Sequence, residues 1–293
     1  MVTKRQPSLY IPHGGGPCFF MEPMPGLPPE YWDGMAAYLR SIAATLPERP
    51  RAALVVSAHW ETPRVTVGTA PRHALLYDYY GFPEHTYHLA YPAAGEPTLA
   101  RQVGELLAGA GIAADADDQR GIDHGVFIPF KLIFPEADVP IVPLSLRHDL
   151  DPGAHLAVGA ALAGLRDEGI LIVGSGLSYH NLRQLFRSEA HADRAARAFD
   201  HWLAEAVAHA DPERRAQALA HWPAAPGALD CHPRAEHLLP LMVAAGAGQS
   251  DRGWRPYTET LLGKPVCAVQ FGGTGGLPDL FPGQNGQNPD RGG

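Results

Sequence analysis

Histidine is over-supplied in this chain: 15 occur beside 23 lysines and arginines in 293 residues. Neutral imidazole is the commonest metal ligand and the side chain that titrates nearest neutrality, so the placement of the histidines decides which chemistry is open. Ser8-Leu9-Tyr10-Ile11, an apolar run, leads into Pro12-His13-Gly14-Gly15-Gly16-Pro17. Leu54-Val55-Val56 leads into Ser57-Ala58-His59-Trp60-Glu61, and Ile170-Leu171-Ile172-Val173 into Gly174-Ser175-Gly176, with His180-Asn181 a few residues on. A fourth histidine falls at a helix start, Cys231-His232-Pro233-Arg234-Ala235-Glu236-His237. In open α/β sheets the ligand crevice lies beyond the carboxyl ends of the strands. The expectation is one metal-centred pocket holding His13, His59, His180 and His237, although their spacing carries no metal signature of its own.

Two further groups could serve such a pocket. Asp123 is placed to cap a helix, which sets His124 at a positive helix end where imidazole is biased toward the neutral form. A half-buried histidine packed under the aromatic run that follows is the competing reading. Tyr77, Tyr79, Tyr80 and Phe82 crowd one turn-rich segment, where they either wall an aromatic-ligand pocket or pack a loop onto the body. His85 and His88 stand between Pro83 and Pro92 and read as structural. His73, His148, His155, His191, His201, His209 and His221 lie in polar or Ala-rich surroundings and read as surface residues. Gly174-Ser175-Gly176 does not complete G-x-S-x-G, because Val173 holds the first glycine position, so a serine-hydrolase elbow is unsupported.

Strands are expected at residues 8–11, 54–58, 139–146, 170–173 and 265–270. Helices are expected at 28–46, 97–107, 152–168, 190–210, 212–222 and 233–246, with another after Asp123. Pro240 inside the 233–246 helix removes a bond to the Glu236 carbonyl and predicts a bend beside Glu236 and His237. Alternating strands and helices give an α/β fold: a central, mostly parallel or mixed sheet with helices on both faces. No linker divides it, so residues 1–281 read as a single domain and the Gly- and Asn-rich 282–293 as a disordered tail.

A net charge of −8 argues against nucleic acid as a partner, which needs a basic footprint. No apolar run reaches the roughly 18 residues of a membrane span. Cys18, Cys231 and Cys267 are too few and scattered for a disulfide framework, and no signal peptide opens the chain. A cytoplasmic protein is the expectation.

Five local words occur in order: His13-Gly14-Gly15-Gly16-Pro17, Ser57-Ala58-His59-Trp60, Gly121-Ile122-Asp123-His124-Gly125, His180-Asn181-Leu182 and Glu236-His237-Leu238-Leu239-Pro240-Leu241. Together, from Leu9 to Gly272, they resemble the DOPA-type extradiol ring-opening dioxygenases, in the superfamily of the protocatechuate 4,5-dioxygenase catalytic subunit. The resemblance implies a mononuclear metal on His13, His59 and His237, with His180 as acid/base histidine or fourth ligand. It implies for His124 a role in orienting substrate or oxygen. In the wider superfamily the third ligand is glutamate, which leaves Glu236 as the alternative to His237. The resemblance implies Fe(II) for activity, while three imidazoles also suit Zn(II). The substrates implied are a catechol-type diol and O2, the product a muconic-semialdehyde-type chain, and Tyr77, Tyr79 and Phe82 are the residues expected at the substrate ring. A zinc hydrolase on the same histidines, or a metal-binding protein without catalysis, are the alternatives; the oligomeric state is left open.

Overall fold

A computed structural model describes residues 4–187 and 189–273. Its strands are β1 (Ser8–Pro12), β2 (Ala52–Thr62), β3 (Val65–Gly68), β4 (Ala114–Asp117), β5 (Ile141–Arg147), β6 (Ile170–Gly176), β7 (Gly253–Leu261) and β8 (Lys264–Phe271). They form one sheet in the order β4-β3-β5-β2-β6-β1-β8-β7. The central strands β5, β2, β6 and β1 are mutually parallel, while β8 runs antiparallel to β1, β7 to β8 and β3 to β5. Parallel strands are covered on both faces and so read as unbroken apolar runs; Leu54, Val55, Val56, Ile172 and Val173 are all fully buried.

The helices are α1 (Asp33–Thr45), α2 (Pro97–Gly109), α3 (His124–Ile133), α4 (Pro152–Leu162), α5 (Ala190–Ala208), α6 (Pro212–Ala220), α7 (Ala228–Cys231) and α8 (Leu239–Gly248). Neighbouring residues of a strand face opposite ways. On β6, a Cβ on Gly174 would stand 2.2 Å from the Pro240 carbonyl oxygen of α8, whereas the next residue, Ser175, bonds to Gly125 of α3. Helices α8 and α3 therefore cover opposite faces, α8 against α4 and α3 against α1. The α/β sheet flanked by helices expected from the pattern is the fold observed. Asp151 accepts from the Ala154 amide at 3.0 Å to open α4, and Gly169 takes the left-handed conformation before β6.

Several expectations need correction. The 28–46 helix begins only at Asp33, and the 152–168 helix is α-helical to Leu162 and a tighter 3-10 turn to Glu168. The 233–246 helix begins at Leu239, so Pro240 lies in its first turn. There its missing N–H has no ladder partner to lose, and the predicted bend beside Glu236 does not form. Strand β2 does not stop at Ala58; it continues through His59 to Thr62. Strands β3, β4 and β7 were not expected. His155 is buried, not a surface residue: its Nε2 accepts from the Arg147 amide at 3.0 Å. His73 is buried too, bonded through Nε2 to the Ile141 carbonyl at 2.8 Å. The proposed 282–293 tail lies outside the described residues.

Candidate functional site

His13 leaves the end of β1 with its amide bonded to the Gly176 carbonyl at 3.2 Å. Its Nδ1 lies 3.0 Å from the Ser175 hydroxyl, which itself donates to the Gly125 carbonyl. That carbonyl is available because Pro129, inside α3, has no N–H to offer the residue four positions back. A hydroxyl carries one proton. With it committed to Gly125, Ser175 accepts from His13, so the His13 proton resides on Nδ1 and the Nε2 lone pair is free.

The same arrangement recurs around Glu236. His237 Nδ1 lies 2.9 Å from Glu236 Oε1 and His180 Nδ1 3.2 Å from the same oxygen. A carboxylate only accepts, so both imidazoles donate through Nδ1, which in the neutral tautomer leaves the Nε2 lone pair free. Burial pushes the Glu236 carboxyl up, but the hydrogen bonds from His180 and His237 outweigh it and hold it well below the usual range. Arg234 grips Glu61 with two bonds of 2.6 and 2.5 Å and reaches to 3.3 Å from Glu236 Oε2. The backbone of His237 is fixed not by a kinked helix but by its carbonyl, which accepts from the Tyr10 hydroxyl at 2.7 Å and the Leu177 amide at 3.2 Å.

His59 is aimed by a fault in the sheet. Pairing of β2 with β6 ends at Ser57, and its register with β5 shifts between Val56 and Glu61. The residues between are held from the α3 side instead: Ser57 Oγ accepts from the His59 amide at 3.1 Å and donates to Asp123 at 2.6 Å. Arg120 binds both the His59 carbonyl (3.1 Å) and Asp123 (2.9 Å) while lying 4.7 Å from the centre of the Trp60 ring. Asp123 precedes α3 as expected, but its side chain makes no cap bond to the helix. Asp78 takes that position, accepting from the His124 amide at 3.0 Å and His124 Nδ1 at 2.8 Å.

All five histidines thus meet at one end of the sheet. His13 and His59 bring their Nε2 atoms to 3.2 Å. Ring centres lie 5.2 Å apart for His13–His237, 4.9 Å for His59–His237, 4.0 Å for His59–His124 and 5.4 Å for His13–His124. His180 stacks on His237 at 3.3 Å. Burial, then the neighbouring imidazoles, drives His13 well below its ordinary pKa, and burial lowers His59 to about 4. Burial likewise lowers His237 against the pull of Glu236. A separation of 3.2 Å suits either a hydrogen bond from one Nε2 to the other or two ligands of one ion, since donors about 2.0–2.1 Å from a tetrahedral ion stand about 3.3 Å apart. Donor atoms of His13, His59 and His124 lie within 4.8 Å of one another, as do those of His180, Glu236 and His237, so each set could hold a metal ion. The residues present fit one.

Of the aromatic residues, Tyr79 is buried with its ring centre 5.9 Å from that of His124. Its hydroxyl donates to the Thr86 carbonyl, and Tyr77 donates to that of Leu89. Phe82 lies over Gly16, where an added Cβ would come within 2.9 Å of its ring. Tyr80 is 91% exposed. Asp78, Ser175 and Pro129 have no role in the sequence reading, and Asp123, expected as a cap, instead binds Ser57 and Arg120. Only Pro129, a proline six residues into a predicted helix, left a readable trace.

The chain belongs to the family described as the catalytic LigB subunit of aromatic ring-opening dioxygenase, which it matches over residues 7–266. It is 37% identical over 287 residues to Dioxygenase tasH of Hapsidospora irregularis, spanning 92% of this chain and 86% of that one. With the 4,5-DOPA dioxygenase extradiol of Beta vulgaris it shares 40% identity over 201 residues, 68% of this chain and 74% of the relative. The Escherichia coli K12 protein of the same name is 34% identical over 279 residues, 93% of each chain. A crystal structure of an uncharacterized protein from Escherichia coli K12 superposes with a TM-score of 0.70 at 30% identity, covering 92% of this chain and all of that one. No helix among the described residues is long and apolar enough to cross a membrane.

Proposed function

We propose that the protein is an extradiol dioxygenase that opens a catechol-type ring with O2 to a muconic-semialdehyde-type product, with Fe(II) held by His13, His59 and His237. The observation that carries this reading is the convergence of imidazoles whose Nδ1 positions are engaged: His13 on Ser175, His180 and His237 on Glu236, and His124 on Asp78. A ligand histidine anchored through its second nitrogen keeps one tautomer and one orientation. Fe(II) held by these residues would supply the redox and Lewis-acid chemistry that lets a diol react with O2. His180 takes a proton from the diol at Nε2, and Glu236 Oε1 at its Nδ1 stabilises the imidazolium so formed. His124, oriented by Asp78, faces the same space and orients the substrate, while Tyr79 and Phe82 border the aromatic ring.

Anaerobic loading with Fe(II), then oxygen uptake over a panel of catechols, tests the reading. His180→Ala should keep its metal and lose about 10²–10⁴ in turnover; metal lost together with activity would make His180 a ligand instead. A second reading, zinc-dependent hydrolysis, is favoured by the tight group of His13, His59 and His124, since three imidazoles suit Zn(II) with a bound water. Oxygen uptake separates the two, because hydrolysis consumes none.

A further inference from the structure

Helices α4, α6 and α8 meet around a groove of about 450 Å³ that opens to solvent. Its walls are largely apolar: Leu156 and Ala160 of α4, Ala216 and Leu219 of α6, and Ala245 of α8. The room comes from side-chain size. Helices α4 and α8 cross so closely that a Cβ on Gly246 would lie 2.1 Å from the Leu156 carbonyl oxygen, and the alanines beside that crossing leave open the space that larger residues would fill. The volume suits one small organic ligand. Ala245 lies about 9 Å along α8 from Leu239, its first residue, at about 1.5 Å per residue. No histidine lines the groove, so its occupancy is independent of the ring-opening chemistry.

One buried charge faces this apolar space. Arg215 lines the groove and is only 2% exposed, yet among the described residues it makes no salt bridge. The acids that act on it from a distance are committed elsewhere: Asp251 to Arg166 at 2.6 Å, and Asp211 to the Glu213 and Arg214 amides at the start of α6. Arg215 instead donates to the carbonyls of His209, at 2.8 Å, and Gln249. A guanidinium offers five N–H groups. A buried charge without a counter-ion is costly, and its hydrogen bonds to an anion are stronger than those to neutral acceptors. Glu213, the other charged residue of the lining, is exposed, where water and salt screen it.

We propose that this groove binds a medium-chain carboxylate, its anionic head on Arg215 and its hydrocarbon chain along Leu156, Leu219 and the alanines. One buried cation matches one anionic group. A second polar group on the ligand would find Gln249 and Ser250, both exposed, as its uncharged partners.

Calorimetric titration of the full-length protein with octanoate tests this, with 1-octanol as the uncharged comparison. Octanoate should bind about tenfold more tightly than 1-octanol, the worth of one hydrogen bond to a charged group. Ala160→Phe, at an exposed position of α4, fills the groove and should abolish binding. Arg215→Met should bring octanoate down to the affinity of 1-octanol. Circular dichroism checks the fold of that variant, because Arg215 also holds two carbonyls; if it is unfolded, Ala160→Phe and the alcohol comparison decide. Equal affinity for octanoate and 1-octanol in the wild type overturns the anion site. No binding of either, or binding that survives in Ala160→Phe, overturns the groove as a ligand site. So does a wild-type dimer in light scattering that Ala160→Phe turns into a monomer, because a second copy then covers the groove.

Discussion

One oxygen atom, Glu236 Oε1, accepts hydrogen bonds from two imidazoles, and this makes Glu236 the most consequential residue that need not touch a metal. In Glu236→Gln the side-chain oxygen can still accept, but the charge that stabilises two donating histidines is gone. Metal affinity should drop about 10–100-fold, measured by competition with a chelator, and Glu236→Asp, which keeps the charge on a shorter arm, should recover part of it. At this scale the sequence was informative about one class of residue and silent about another. His13, His59, His180 and His237 were legible because each follows a distinctive run of small or apolar residues. Their partners were not. Ser175 meets His13 across 162 positions of sequence, and Asp78 sits 46 positions from His124 in a segment dominated by tyrosines.

Elements position these residues through close backbone approaches as much as through side chains. Strand β6 comes so near the 232–238 turns that a Cβ on Gly176 would lie 2.1 Å from the His237 carbonyl oxygen. Gly176→Ala should therefore push that turn away, costing about 1–3 kcal/mol by denaturant unfolding, and should weaken metal binding more than a distant substitution of equal cost. The parallel core could be read directly, since strands covered on both sides have to be apolar throughout. Strand β4, Ala-Asp-Ala-Asp at the sheet edge, and β7, half-exposed with Arg and Glu along it, carry no such run. The irregularity in β2 was hidden for the opposite reason. Leu54-Val55-Val56-Ser57-Ala58-His59-Trp60-Glu61-Thr62 is compatible with a strand at every position, and only Asp123, Arg120 and Ser57 reveal where the ladder breaks. Helix α8 starts at Leu239 rather than at 233 because Pro240, not Pro233, lies in its first turn.

Across the molecule, burial of neutral histidines ties stability to pH. His232 is fully buried, donates through Nε2 to the Ser178 carbonyl at 3.0 Å, and burial lowers its pKa to about 4. The unfolded chain, with an ordinary value of about 6.5, takes up the proton first as pH falls, so stability is retained above about 6.5 and lost on the way down to about 4. Metal-free protein should lose about 2 kcal/mol between pH 7 and pH 5 from this residue alone, with more from His13, His59 and His237. Urea midpoints across that range check this, and His232→Asn should flatten the slope. The strand order has one further consequence, for the protein as it is made. β1 lies between β6 and β8, so it leaves the ribosome before either of its neighbours. Until that late portion is translated, the earliest segment has no place to dock and His13 has no company, which makes for slow closure and leaves the pocket to be completed after most of the chain exists.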